Sequence, residues 1–213
     1  IIFFASYGQT FFISLFNSEI KMFYNLSDGE FGLVYSIGTL SSSFLLIGFA
    51  KLIDTVDLRI YSFVVSLGLS FACLCMYLSY QSIIFLIFCI FALRFFGQGA
   101  MSHAGETTMA RYFGSNRGKA LSVSTFGGMI GVMILPFIAV ELKEYFGWKY
   151  VWLASCLFIS FIFIPLLFII LHNQSLRHSR FKKSINNDLK QKKWKIKEIA
   201  LDGKFYIYLP ISI

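Results

Sequence analysis

The run Ile83-Ile84-Phe85-Leu86-Ile87-Phe88-Cys89-Ile90-Phe91-Ala92-Leu93-Arg94-Phe95-Phe96-Gly97-Gln98-Gly99-Ala100-Met101-Ser102-His103 decides the class of this protein. Eleven consecutive apolar residues lead into a single arginine, and the small or polar Gly97, Gln98 and Gly99 follow it. As a helix, a run of this length covers about 30 Å, the thickness of a bilayer's hydrocarbon core. Arg94 then lies about 16 Å deep, near the midplane. A cation there costs several kcal/mol against lipid, so it is expected to face a bundle interior or an aqueous cavity.

Four more runs have the same length and character: Gly32–Ile53, Ile60–Tyr80, Ala120–Val140 and Trp148–Leu171. Ile1–Phe16 reads as a span cut short at its start, and Phe205–Ile213 as one cut short at its end. The first residue is not Met, so the chain reads as a fragment. Ile1–Phe16 has no basic leader or small-residue cleavage site, which argues against a signal peptide. Over 213 residues the chain is 57% hydrophobic and 14% charged, with 26 Phe. A soluble core of this size could not hide that much apolar surface. A disordered chain, a secreted disulfide scaffold and an ordinary cytosolic enzyme are excluded. The expected fold is all-α and polytopic. Residues 1–172 form a six-helix membrane bundle, 173–204 a basic loop, and 205–213 the start of a seventh helix.

The net charge of +8 is unevenly placed. With the first span running outward, fifteen of the nineteen cations fall on the inner side, among them Lys51, Arg59, Arg111, Arg117 and Lys119. Ten lie between residues 173 and 204, against Asp188, Glu198 and Asp202. The outer side has Lys21, Lys143 and Lys149. This bias puts the chain start and the 173–204 loop in the cytoplasm of a multi-pass plasma (cell inner) membrane protein. The loop reads as a solvated linker facing anionic lipid head groups. No binding motif or aromatic interleaving accompanies it, so nucleic acid is not an expected partner. Ser27-Asp28-Gly29-Glu30 has capping-box spacing. Tyr77, Tyr80, Tyr145, Trp148, Tyr150 and Trp152 fall near outer span ends, where amphipathic rings settle.

Cys73, Cys75, Cys89 and Cys156 lie inside spans and read as small buried hydrophobes. His103 and Glu106 share a helix face, but no third metal ligand accompanies them. No nucleophile elbow, phosphate loop or dinucleotide fingerprint appears. Neither enzyme activity, a metal nor a cofactor is expected.

Polar groups at membrane depth carry the functional signal. The first span holds Ser6, Tyr7, Gly8, Gln9, Thr10 and Ser14 in an otherwise apolar run. Tyr7-Gly8-Gln9-Thr10 echoes Phe96-Gly97-Gln98-Gly99 at an offset of 89 residues. Ser36-Ile37-Gly38-Thr39-Leu40-Ser41-Ser42 echoes Ser122-Val123-Ser124-Thr125-Phe126-Gly127-Gly128 at an offset of 86. Two echoes in register suggest that spans one to three and four to six repeat each other. With three helices per unit the second copy enters from the opposite side, giving the 3+3 inverted repeat expected of secondary transporters.

The order of spans, the long basic loop after the sixth and the new span beyond it resemble the N-terminal half of a major facilitator superfamily transporter. The superfamily's loop between helices two and three typically reads Gly-x-Leu-x-Asp-Arg-x-Gly-Arg-Arg/Lys. Here Ala50-Lys51-Leu52-Ile53-Asp54-Thr55-Val56-Asp57-Leu58-Arg59 takes its place. Leu52, Asp54 and Arg59 match, while Ala50, Thr55, Asp57 and Leu58 depart. The fourth-helix pattern Arg-x-x-Gln-Gly appears as Arg94-Phe95-Phe96-Gly97-Gln98-Gly99, with its Gln-Gly shifted by one. Gly127, Gly128, Gly131 and Pro136 do not fit the fifth-helix motif of drug antiporters. Ala110-Arg111-Tyr112-Phe113 and Arg117-Gly118-Lys119-Ala120-Leu121 are similar to permeases related to monocarboxylate and organic-anion carriers.

The resemblance implies a secondary active transporter that works by alternating access. It implies a second half of six helices beyond this chain, a small solute and a coupled proton. Asp54 and Arg59 would serve gating. Tyr7, Gln9 and Thr10 would hydrogen-bond the solute, Arg94 would hold its anionic group or communicate with a proton site, and Gln98 would orient it. The rival expectation is a transport-inactive receptor or interaction protein on the same scaffold.

Overall fold

The computed structural model describes residues 1–113 and 116–172, with the side chains of Asp54 and Arg111 excepted. The basic stretch 173–204 and the seventh run 205–213 lie outside the described residues. No strand occurs among those described.

Five continuous spans are present: α2 (Asp28–Ile53), α3 (Leu58–Leu78), α4 (Ile83–Ala110), α5 (Arg117–Phe146) and α6 (Trp148–Ile170). Each is helical for local reasons. Ser27 and Glu30 form the expected capping box at the start of α2, with the Glu30 N–H on Ser27 Oγ and the Ser27 N–H on Glu30 Oε2. Asp57, where the resembled family has glycine, caps α3 by accepting the Arg59 N–H at 2.8 Å. Ser82 caps α4. α5 and α6 are joined through Gly147 alone, at φ +89°, a left-handed conformation that glycine adopts without strain.

The first span, α1, departs from expectation. It is broken into Ile2–Ala5, Ser6–Gly8, Thr10–Ser14 and Asn17–Tyr24. It therefore does not end at Phe16. Helix resumes at Asn17 and stops at Asn25, whose left-handed backbone (φ 53°) closes it. Glu19 and Lys21, polar in isolation, obscured this extension because each has a partner. Glu19 pairs with Lys143 of α5 at 2.8 Å, and Lys21 pairs with Asp28. α4 and α5 likewise run past their apolar stretches, through Ala110 and Phe146.

The helices pack as two interlocked copies. α1 and α4 cross at Gly8 and Gly97, where a Cβ on Gly97 would stand 2.6 Å from Gly8 Cα. A Cβ on Gly8 would fall on the Leu93 carbonyl. α2 packs on α4, its Gly38 against Ile90, and α5 packs on α1, its Gly128 against Ile2. α3 meets α6, where Ser70 Oγ lies 2.6 Å from Ser160 Oγ and donates to the Cys156 carbonyl at 3.1 Å. The second helix of each unit thus rests on the first helix of the other, the exchange that an inverted repeat requires. The echoed glycines Gly8 and Gly97 are the crossing point itself.

α2 and α5, equivalent in the repeat, are the least enclosed helices. They present Leu40, Phe44, Met133 and Phe137 outward. Trp152 does not join the outer aromatic belt. It lies one turn inside α6, fully buried, with Phe12 edge-on at 5.6 Å and Phe16 at 5.0 Å. All four cysteines are buried thiols. Lys143 and Lys149 pin helix ends. Lys143 also donates to the Leu15 carbonyl at 2.8 Å, and Lys149 sits 3.9 Å over the Phe23 ring while donating to Ser79 O.

Replacing Gly97 by Ala should lower thermal stability in detergent by about 1–3 kcal/mol, because the added methyl meets backbone that cannot step aside. Gly127→Ala, with open space around its Cα, should leave the melting curve unchanged.

Candidate functional site

Breaking α1 at Gln9 prepares one side of the site. Gln9 is extended (φ −78°, ψ 153°), and its carbonyl accepts both the Phe12 and the Ile13 N–H. The neighbouring Gly8 carbonyl is left for another donor. Arg94 takes it, Nη1 donating at 3.3 Å, and also donates to Thr10 Oγ1 at 3.0 Å. Thr10 Oγ1 accepts a second bond, from the Tyr35 hydroxyl of α2 at 3.0 Å. The Arg94 guanidinium stands 5.6 Å from the centre of the Tyr35 ring.

Arg94 itself sits in a nine-residue π-helical stretch of α4, Leu93–Met101. Such widened turns recur at functional sites because they re-aim side chains. Here the turn places Arg94, Gln98, Ser102 and Glu106 along one side of α4. With Thr39, Ser42 and Ser43 of α2 they line a recess of about 310 Å³. His103 joins the same wall, its Nε2 3.3 Å from Thr107 Oγ1. A second recess of about 300 Å³ opens between α1, α4 and α5 and is lined by Ser6, Gln9 and Thr125. Ser102 and Glu106 belong to both recesses.

The electrostatics are unusual for a buried cation. Among the described residues no carboxylate pairs with Arg94, and its two acceptors are neutral oxygens. Its Nε is buried without a partner. Neutral oxygens and an aromatic face hold the group in place but leave its charge uncompensated.

The expected site residues divide. Arg94 and Gln98 line the first recess, and Thr10 holds Arg94 from α1. Gln9 faces the second. Tyr7 does not join them. Its ring is buried on the other side of α1, edge-on to Phe12 at 5.0 Å, in an apolar cavity shared with Phe158 and Ser155. The tight 3₁₀ turn at Ser6–Gly8 and the extended backbone at Gln9 send the two side chains to different sides of α1. Arg59 lies far from the recess, 3.6 Å from Asp57 and within 3.4 Å of the His172 carbonyl, so it ties the start of α3 to the end of α6. The Asp54 side chain is outside the described set. Tyr35 and Thr39 were not anticipated, although Tyr35, Thr39, Ser42 and Ser43 form a polar stripe at helical spacing on an apolar helix.

A family model described as Major Facilitator Superfamily matches residues 1–212. The chain belongs to the major facilitator superfamily. No curated protein and no solved structure matches it. Membership and five membrane-length helices make this a multi-pass membrane protein of a transport superfamily, built as a helical half-bundle. Members of the superfamily move small solutes across membranes.

Thr10→Val and Tyr35→Phe should be non-additive in thermal unfolding, with a coupling of about 0.5–1.5 kcal/mol, because both bonds share one hydroxyl. A double-mutant cycle in detergent measures this, and strict additivity would mean the Tyr35–Thr10–Arg94 chain is not formed.

Proposed function

We propose that this chain is the N-terminal half of a secondary active transporter for a small organic anion, working by alternating access with proton coupling. The observation that carries the anionic character is Arg94: a midplane cation on two neutral oxygens, with no carboxylate paired to it among the described residues, beside a polar recess whose far end holds Glu106. A bound anion completes that charge and takes the free Nε–H. Thr10 and Tyr35 hold the guanidinium in place, Gln98 contacts the solute one turn further along, and Gln9 lines the approach through the second recess. Tyr7 supports α1 from behind. The chain start and the 173–204 loop lie in the cytoplasm, at the plasma membrane, and the loop leads to a second six-helix half that closes the cavity. Arg59 contributes to gating by joining α3 to α6, and Asp54 of the same motif acts with it.

Uptake of labelled organic acids into proteoliposomes containing the full-length protein tests this reading. Accumulation above the external concentration under an imposed proton gradient is expected, and binding without accumulation would instead identify a receptor. Arg94→Ala should reduce uptake at least about tenfold, since it removes a charge-assisted contact. Arg94→Lys should retain part of it, because Lys supplies charge without the guanidinium's fork. Unchanged uptake in Arg94→Ala would overturn the assignment.

A further inference from the structure

The first recess is distinguished by what its wall leaves unmade. Ten buried side-chain polar atoms among the described residues lack a hydrogen-bond partner, and four of them belong to residues lining this one recess: Arg94 Nε, Gln98 Oε1, Thr39 Oγ1 and His103 Nδ1. An unmade buried hydrogen bond costs the desolvation of its group, about 1–3 kcal/mol. The other six, such as Trp152 Nε1 and Glu19 Oε2, belong to residues that do not line this recess. The four line up. Arg94 and Gln98 are one turn apart on α4, His103 follows further along the same helix, and Thr39 faces them from α2. The neighbouring hydroxyls of Ser42 and Ser43 spend their protons on the Thr39 carbonyl, so their oxygens remain able to accept.

This pattern of valences describes a ligand. A carboxylate satisfies Arg94 Nε–H but offers nothing to Gln98 Oε1, which needs a donor. Thr39 and the serine oxygens also favour a group that both donates and accepts. An apolar chain on the carboxylate would leave all of these unpaired. A hydroxylated chain satisfies them in order of distance from the charge.

We infer that the recess selects a carboxylate carrying hydroxyl groups on the adjoining carbons, with Gln98 and Thr39 as the residues that read the first hydroxyl and His103 one further along. This rests on the reading of Arg94 as the anion-binding group. It goes beyond it in naming what the rest of the solute is.

The test compares acids of equal length and charge that differ in their hydroxyls. Glycerate is set against propionate, and gluconate against hexanoate. Each is titrated as a thermal protectant of the full-length protein in detergent. Each hydroxylated acid should protect at a concentration about tenfold lower than its deoxygenated counterpart, as expected for one or two hydrogen bonds made in a dry site. Gln98→Leu and Thr39→Val should each collapse the glycerate-to-propionate ratio towards one. His103→Phe should reduce the gluconate-to-hexanoate ratio and spare the shorter pair's. Arg94→Ala should remove protection by all four.

Equal protection within each pair, ratios unmoved by Gln98→Leu and Thr39→Val, or no protection by any of the acids would each overturn the inference. Arg94-dependent protection without hydroxyl preference would sink the hydroxyl reading alone and leave the anion site standing. Protection that survives Arg94→Ala would sink the anion site itself.

Discussion

The structure depends on a contact between two glycines. α1 and α4 come so close at Gly8 and Gly97 that neither can carry a side chain. In lipid, where helices gain nothing from leaving water, close backbone approach is a main source of association energy. The approach also sets the site. It brings the Gly8 carbonyl within reach of a cation rooted three residues before Gly97. A wider crossing would leave that carbonyl and the cation facing each other across a gap that water or solute would have to fill. Break, crossing and charge therefore form one unit: α1 opens at Gln9, the opening leaves the Gly8 carbonyl without a helical partner, and Arg94 closes on it.

The second theme is incomplete satisfaction. Most of the bundle follows the usual rule that polar groups in lipid are paired. Serines and threonines along the spans give their protons to carbonyls a turn back, as Ser66 does to Ser62 and Ser155 to Val151. The outer cations each find an oxygen or a ring. Against that tidy background, one recess keeps four valences open next to an uncompensated charge. Three of them sit on α4, which is wound into π turns over Leu93–Met101, as α6 is over Ile159–Phe163. Unpaired polar atoms and irregular helix are each costly, and on α4 the two coincide beside Arg94.

How much of this could be read from the sequence varied by residue. The spans were legible because membrane length is a simple physical filter. The echo of Gly8 and Gly97 was legible as pattern, though not as contact. Arg94 was conspicuous because a lone charge in a run of Leu, Ile and Phe has no bland neighbours to hide among. α1 was misjudged where Glu19 and Lys21 looked like the water-facing end of a span, since their partners lie far along the chain at Lys143 and across a turn at Asp28. Tyr7 and Gln9 were grouped by proximity in sequence, yet the backbone leaves the helix between them: Tyr7 lies in the turn Ser6–Gly8 and Gln9 is extended. Tyr35 and Thr39 were passed over because each is ordinary alone, and their significance lies in what α1 and α4 bring to them. The misplaced Trp152 has the same cause: it is near a span end in sequence but faces the bundle axis in space.

The glycine crossing constrains how this protein can vary. Most steric conflicts in a core can be relieved by trimming the opposing side chain. At Gly8 the opposing atoms are the Leu93 carbonyl, the Gln98 amide nitrogen and Gly97 Cα, and at Gly97 the nearest are the Cα and nitrogen of Gly8. All are main chain, and no substitution makes main chain smaller. A lineage that lost either glycine would have no compensating partner change open to it at the crossing. The pair is in that sense unrepairable.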